Sequence, residues 1–283
     1  MRMKDMIMIA GASAVALLTL SACDIKDPIY NTPHPDYGTV VVTTEWSSKS
    51  PEAEMPQNYT LRVGEEQQSV SGITNTFKSL LPQGSYELTA YNIPEHIGIS
   101  GNTATVAESE AGYVEPMPGY LFAANRTIDV AADNTLEVTV PVKQLVRLLN
   151  VELSVTEGDH SRVQSATATL DGVASQVDIV TCERAAAAKS RNALVQDGSK
   201  FTTSFRLSGI IPAASQTLTV SILYTDGDTQ QIDSDITELL AGFNDRMEPM
   251  KLAGNLLLPI EAGVTGATIT GWNETDGGNA DAN

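Results

Sequence analysis

The stretch TVVVTTEW, residues 39–46, decides the fold class of this chain. It is rich in β-branched and aromatic residues, which fit the pleated, half-buried surface of a sheet. Residues 59–63, YTLRV, alternate apolar and polar side chains with period two. A turn signal at 81–85, LPQGS, precedes a further alternating segment at 86–91. Half-buried strands of this kind predict a β-sandwich.

A second run of strand signals follows residue 143. It comprises segments 145–155, 165–170, 201–207, 217–224, 230–236 and 255–260, and the pair Asp226-Gly227 is typical of a hairpin turn. We expect helices only as short pieces near 236–243 and 184–190. Regular strand spacing therefore predicts an all-β protein of two tandem β-sandwiches, one at 38–142 and one at 143–274.

The first 23 residues have the pattern of a bacterial lipoprotein signal. Arg2 and Lys4 precede an apolar run, which ends in the small-residue site Leu20-Ser21-Ala22 before Cys23. The pattern predicts a signal peptide at 1–22, cleaved before Cys23, whose thiol and new amino group then carry acyl chains. The apolar run is too short for a transmembrane helix. We therefore expect a lipid-anchored protein.

Two segments are predicted to lie outside the sandwiches. Residues 23–37 contain three prolines and little apolar periodicity, which indicates an extended tether between lipid and folded body. Residues 275–283 are polar and glycine-containing, which is typical of a disordered tail.

Charge and cysteine content limit the partners and the source of stability. The formal net charge is −18 at pH 7, which argues against nucleic acid and anionic lipid as partners. The two cysteines are Cys23 and Cys182. Lipidation of Cys23 leaves no intramolecular disulfide, so packing must supply the stability. We interpret Cys182 as a small apolar residue rather than a reactive thiol.

Catalytic and metal-binding patterns are weak in this sequence. Its three histidines, His34, His96 and His160, have no paired zinc-ligand spacing, and no nucleophile elbow, phosphate loop or dinucleotide fingerprint occurs. The acidic residues at 226–228 and 233–235 do not match a calcium loop. We predict no enzyme, no metal and no cofactor.

Residues 182–191, CERAAAAKSR, interrupt the strand pattern and are predicted to form an exposed loop. Basic residues flank small ones there, so Arg184 and Arg191 are candidate sites for an arginine-specific protease. A plain solvated loop is the alternative.

Several ordered segments resemble a known family. CDIKDP at 23–28, His34-Pro35 and residues 38–46 resemble the start of Bacteroidales lipoproteins of the FimB/Mfa2 fimbrial anchor group. Similar segments follow at 119–124, GYLFAA, and 170–174, LDGVA, and as the pair DITEL at 235–239 with ITGW at 269–272. Together they span nearly the whole chain after Cys23.

The resemblance implies two transthyretin-like sandwiches on the outer-membrane surface, with a fimbrial subunit as partner. Filament subunits of that system lose an N-terminal strand to an arginine-specific protease, and a neighbour's strand fills the groove by strand addition. This chain has no arginine between Cys23 and Arg62. That departure favours an anchor or minor subunit, which keeps its lipidated N-terminus.

A strand at one end of the chain would be the one exchanged in such a system. Residues 267–272 are our prediction, because Ala267, Ile269 and Gly271 alternate with Thr268, Thr270 and Trp272. On this pattern Ala267 and Ile269 would face one side of the strand and Trp272 the other.

Two other binding functions fit a tethered tandem sandwich. One is a surface glycan-binding lipoprotein of a polysaccharide uptake system, which would need an exposed aromatic platform. Trp46 and Trp272 both lie within strand patterns and are expected in the core instead. The other is a lipoprotein adhesin, which the sequence does not separate from a fimbrial subunit.

Overall fold

The structure is a computed structural model that describes residues 30–31, 33–259 and 266–275. The predicted signal peptide, Cys23, most of the tether and all of the predicted tail beyond Thr275 lie outside the described residues. The all-β prediction is confirmed, since the described residues form 21 strands and two short 3-10 helices. None of their helices has the length and apolar character needed to cross a bilayer.

The strands are, in chain order, β1 (Tyr37–Glu45), β2 (Asn58–Val63), β3 (Glu66–Ser71), β4 (Thr74–Thr76), β5 (Leu81–Pro82), β6 (Gly84–Tyr91), β7 (Ile97–Ser100), β8 (Thr103–Val106), β9 (Glu108–Glu110), β10 (Tyr113–Val114), β11 (Phe122–Val130), β12 (Thr135–Pro141), β13 (Lys143–Gln144), β14 (Arg147–Glu157), β15 (Val163–Asp178), β16 (Arg184–Asp197), β17 (Lys200–Leu207), β18 (Thr217–Tyr224), β19 (Thr229–Asp235), β20 (Met250–Leu257) and β21 (Thr268–Glu274). The 3-10 helices are His160–Arg162 and Phe243–Asp245.

Two sheets enclose the first hydrophobic core. One has the order β12-β1-β4 with β5 attached to β1, and the other the order β13-β11-β6-β2-β3. Strand β1 contains the stretch that decided the fold class. Its burial alternates as predicted, and Val40 and Val42 are fully buried. It runs parallel to β12 and antiparallel to β4, so it is central in its sheet.

The larger sheet has the order β19-β18-β15-β16-β17-β14-β20-β21. The long strand β16 joins its two arms, because it pairs with β15 over most of its length and with β17 near its end. Side chains from both arms, such as Ala168 of β15 and Phe205 of β17, belong to one buried cluster. This cluster is the second core.

Strands β7 to β10 differ from the sequence prediction, which assigned all of 38–142 to the first sandwich. Strand β8 pairs with β15 and β10 pairs with β16, so both extend the larger sheet. Ala104, Val106 and Val114 are buried in the second core. These segments are too short and polar for their sequence pattern to show which sheet they join.

Two local predictions can be compared directly with the structure. The hairpin at Asp226-Gly227 is confirmed, since β18 and β19 pair antiparallel around it and Gly227 adopts φ +91°. The loop and short helix predicted within 182–191 are wrong, because β16 begins at Arg184, although most side chains of the segment are exposed as predicted. Alanine has little strand preference of its own, and pairing with β15 decides the conformation.

Candidate functional site

Strand β21 is an edge of the larger sheet. Among the described strands it pairs only with β20, antiparallel, with Ile269 opposite Leu256 and Thr270 opposite Asn255. An edge strand offers a row of backbone N–H and C=O groups to an additional strand. Among the described residues, the larger sheet therefore ends in an unpaired hydrogen-bonding edge at β21.

A β-bulge reorients the second half of β21. Thr270 lies opposite Asn255 and Asn273 opposite Ala253, so Gly271 and Trp272 together face the single residue Gly254. Gly271 adopts φ +64°, a left-handed conformation that glycine takes without strain. The bulge turns Trp272 to the face of Ile269, where both pack at the second core. The prediction that Trp272 faces away from Ile269 is therefore wrong.

Trp272 packs against the second core, but its indole N–H lacks a hydrogen-bond partner among the described residues. The side chain as a whole is half-buried, while the Nε1 atom itself is buried. A buried donor without a partner costs about 1–3 kcal/mol. Trp272 thus packs at the edge of the core in an arrangement that leaves one polar group unsatisfied.

Few contacts hold the two ends of β21. At its start, the backbone N–H of Ala267 donates to Oε1 of Gln230 on β19 at 3.3 Å. At its end, Glu274 forms an ion pair with Arg246 at 2.5 Å, and the N–H of Thr275 donates to the carbonyl of Lys251 at 2.9 Å. Of the predicted exchange residues, Ile269 is buried and Ala267 half-buried.

Sequence comparison identifies the family. The family model described as fimbrillin-A associated anchor proteins Mfa1 and Mfa2 matches residues 32–277. The chain belongs to this family. The resemblance to the FimB/Mfa2 group predicted from the sequence is thereby confirmed, and the Mfa2-family chain is a fimbrial or adhesin-like surface protein. No curated protein matches the chain.

Solved structures share the fold of this Mfa2-family chain. The fimbrial anchor protein Mfa2 from Porphyromonas gingivalis superposes with a TM-score of 0.60 at 11% identity, covering 84% of this chain and 97% of that one. A candidate adhesin from Bacteroides ovatus ATCC 8483 superposes with a TM-score of 0.61 at 15% identity, and the match covers 89% of this chain and 95% of the adhesin. A candidate polysaccharide-binding protein from Bacteroides thetaiotaomicron VPI-5482 superposes with a TM-score of 0.56 at 8% identity, and the match covers 77% of this chain and 92% of that protein. At these identities the likeness shows the fold alone.

The two arginines predicted as protease sites lie in regular structure of the Mfa2-family chain. Arg184 is half-buried and donates to the backbone carbonyls of Cys182, Ser208 and Asn244. Burial lowers the pKa of Arg184 below its ordinary value. Arg191 is exposed, but β16 pairs with β15 at this position. A protease must bind an accessible segment whose backbone is free of pairing, and the backbone of β16 is paired with that of β15. The structure therefore contradicts the loop on which this prediction depended.

Acidic pairs in the Mfa2-family chain take local hydrogen bonds. Asp226 pairs with Arg162 at 3.0 Å, and its pKa lies below the ordinary value mainly because the backbone N–H of Asp228 donates to it. Asp233 accepts a hydrogen bond from the Thr219 hydroxyl at 2.7 Å. Within the described ranges, no three His, Cys, Asp or Glu side chains gather as metal ligands.

Proposed function

We propose that this Mfa2-family chain is an outer-membrane surface lipoprotein that acts as an anchor or minor structural subunit of fimbriae. It binds a neighbouring fimbrial subunit by β-strand addition and needs no catalytic residue. The observation that carries the proposal is the open edge at β21, which has β20 as its single described neighbour. Main-chain hydrogen bonds at such an edge supply affinity, and side-chain pockets select the partner strand.

The exchangeable segment in this proposal is the one that contains Ala267, Ile269 and Trp272. Ile269 is the one buried side chain of β21, and burying such a side chain contributes about 1.5–3 kcal/mol. The unpaired indole N–H of Trp272 offsets part of that contribution. Release of β21 from β20 therefore costs less than release of a strand with several buried residues.

Strand β1 supports the anchor role over the role of a filament shaft subunit. Its loss would uncover Val40 and Val42 and separate β12 from β4. The sequence has no arginine between Cys23 and Arg62 at which an arginine-specific protease would release β1. Strand β1 therefore stays in place, and the chain remains joined to the lipid on Cys23.

Membrane attachment in this proposal depends on acyl chains alone. The net charge of −18 opposes electrostatic binding to anionic head groups. Two or more acyl chains at Cys23 provide stable anchoring without charge attraction. The proline-bearing tether then separates the folded body from the bilayer.

Crosslinking on intact cells, followed by capture of this protein and mass spectrometry, tests the proposal. We expect the captured protein to carry a ladder of crosslinked fimbrillin-family subunits. Truncation after Gly266 should abolish this ladder. In Cys23→Ala, the protein and its crosslinked subunits should no longer sediment with the outer membrane. Truncation after Thr275 is the matched control, because it removes the tail and leaves β21 complete. Capture of an outer-membrane glycan importer without fimbrillins would contradict the proposal, as would a ladder that survives truncation after Gly266.

A further inference from the structure

The outer face of β15 and β18 carries small hydroxyl side chains. Burial alternates along both strands, which places Ser165, Thr167 and Thr169 of β15 and Thr219 and Ser221 of β18 on the outside. The register sets Thr167 opposite Ser221 and Thr169 opposite Thr219. These five residues form a low floor, two strands wide, which we call the hydroxyl floor.

Longer side chains on the flanking strands form walls beside the hydroxyl floor. Arg191 of β16 lies opposite Thr169 on one side, and Gln231 of β19 lies opposite Ser221 on the other. The resulting groove contains two adjoining depressions of about 510 and 380 Å³. Both depressions are lined by Thr167, Ser221 and Gln231, so they form one continuous groove.

Charged groups on the β16 wall are fixed in place and balanced. The Arg191 guanidinium lies 4.2 Å from the ring centroid of Tyr113 and donates to Glu110 at 2.9 Å and to Thr169 at 3.2 Å. Lys189 pairs with Asp171 at 3.1 Å. Each cation thus has a carboxylate partner and retains spare N–H donors. Such a wall is preorganised for hydrogen bonding and has no excess positive charge.

Three hydroxyls of the floor are free to bind a ligand. Ser165, Thr167 and Ser221 form no hydrogen bond through their hydroxyls with any described residue. Thr167 and Ser221 are half-buried in the groove. Each hydroxyl can donate one hydrogen bond and accept two. A ligand that fills the groove must match this mixture of donors and acceptors.

We infer that this groove binds a neutral oligosaccharide. Sugar hydroxyls both donate and accept, as the floor and the Gln231 amide do. The floor from Ser165 to Thr169 is about 13 Å long at the rise of a strand, which suits a short oligosaccharide. Polyanions are disfavoured because the chain carries a net charge of −18 and the cations of the wall are already paired. Apolar lining is confined to Ile222 and Leu223 at one end of the groove, whereas the floor itself presents hydroxyls.

The mode of binding differs from stacking on an aromatic platform. The Tyr113 ring at the groove is covered by the Arg191 guanidinium, so recognition depends on hydrogen bonds. The groove lies on the outer face of β15 and β18, whereas subunit binding is proposed along the backbone edge of β21. At its β19 end the groove adjoins Gly266 and Ala267 at the start of β21, so a fimbrial subunit with this groove would hold a glycan and a neighbouring subunit on adjacent surfaces.

Calorimetric titration of the purified full-length lipoprotein tests the inference. The detergent must not be a glycoside, and the probes are neutral hexasaccharides of α- and β-linked glucose, mannose and galactose, with hexagalacturonate as the anionic counterpart. We expect at least one neutral hexasaccharide to bind and hexagalacturonate to bind at least about tenfold more weakly. No binding by any neutral probe, or tighter binding of hexagalacturonate, would overturn the inference.

Variants locate any binding that is observed. Thr167→Val removes one floor hydroxyl and keeps the shape, so we expect binding about two- to tenfold weaker. Ser221→Trp fills the groove and should abolish binding, with circular dichroism confirming the fold. Thr202→Val is the matched control, because Thr202 is an exposed threonine of β17 outside the groove. Binding unchanged in both Thr167→Val and Ser221→Trp would overturn the inference.

Discussion

Gly254 of β20 leaves the space into which Trp272 of β21 packs. A β-carbon at position 254 would lie 3.1 Å from Cε3 of Trp272 and 3.0 Å from Cγ2 of Ile269. Both distances are shorter than ordinary van der Waals contact. The missing side chain at 254 therefore permits the close approach of the last strand to the sheet.

Gly254→Val should displace β21 from β20. The added side chain meets Trp272 and Ile269, and overpacking of this kind costs about 1–3 kcal/mol. We expect hydrogen exchange of the backbone amides at 268–274 to accelerate, as mass spectrometry would measure. Gly98→Val is the matched control, since a β-carbon at Gly98 meets nothing within 4 Å. Unchanged exchange in Gly254→Val would refute the packing described for β21.

The folded protein should resist an arginine-specific protease at Arg184 and Arg191. Both residues lie within β16, and Arg184 is held by three backbone carbonyls. Fragment masses after digestion should show cleavage at these two positions only when urea unfolds the protein. Cleavage there under native conditions, before any other site, would mean that the β15–β16 pairing opens readily.

Tyr120 should make stability depend on alkaline pH. Burial, followed by the nearby Glu52 carboxylate, raises the pKa of Tyr120 to about 12. An unfolded tyrosine titrates near pH 10, so the folded state holds this proton more tightly and loses that stability as pH rises from about 10 to about 12. The loss should be about 1 kcal/mol, since the phenol is partly exposed and solvent screens its interactions.

Chemical denaturation at pH 9 and pH 12 measures this effect. The wild-type protein should lose more unfolding free energy between the two values than Tyr120→Phe does. Tyr37→Phe is the control, because Tyr37 is an exposed tyrosine at the start of β1. Equal losses in the wild-type protein and Tyr120→Phe would show that the Tyr120 proton does not contribute.

Sequence reasoning succeeded where local pattern and tertiary packing agree. The alternation in TVVVTTEW matches a central strand with one buried face, and Asp226-Gly227 suits a tight hairpin. The prediction failed at β16, because its alanines have little preference for a strand and only pairing with β15 fixes their conformation. It also failed at Trp272, because a one-residue bulge at Gly271 shifts a period-two pattern to the opposite face.

The hydroxyl floor shows a second limit of sequence reasoning. Thr167 and Thr169 follow the period of a half-buried strand, but the sequence does not indicate that β18 places Ser221 and Thr219 beside them. The walls come from three separate segments, β10, β16 and β19. Only the sheet order brings these residues together, so a search for motifs along the chain does not find the groove.

A photo-crosslinking residue at position 270 tests the central claim most directly. Thr270 is exposed on β21, so a strand added to that edge would lie within reach of its side chain. We predict a crosslinked product on intact cells that contains this protein and a fimbrial subunit, and no such product when the same residue replaces Asp197 at the β16–β17 turn, which three strands separate from β21. A crosslink to a fimbrial subunit from position 197 but not from 270 would contradict strand addition at β21.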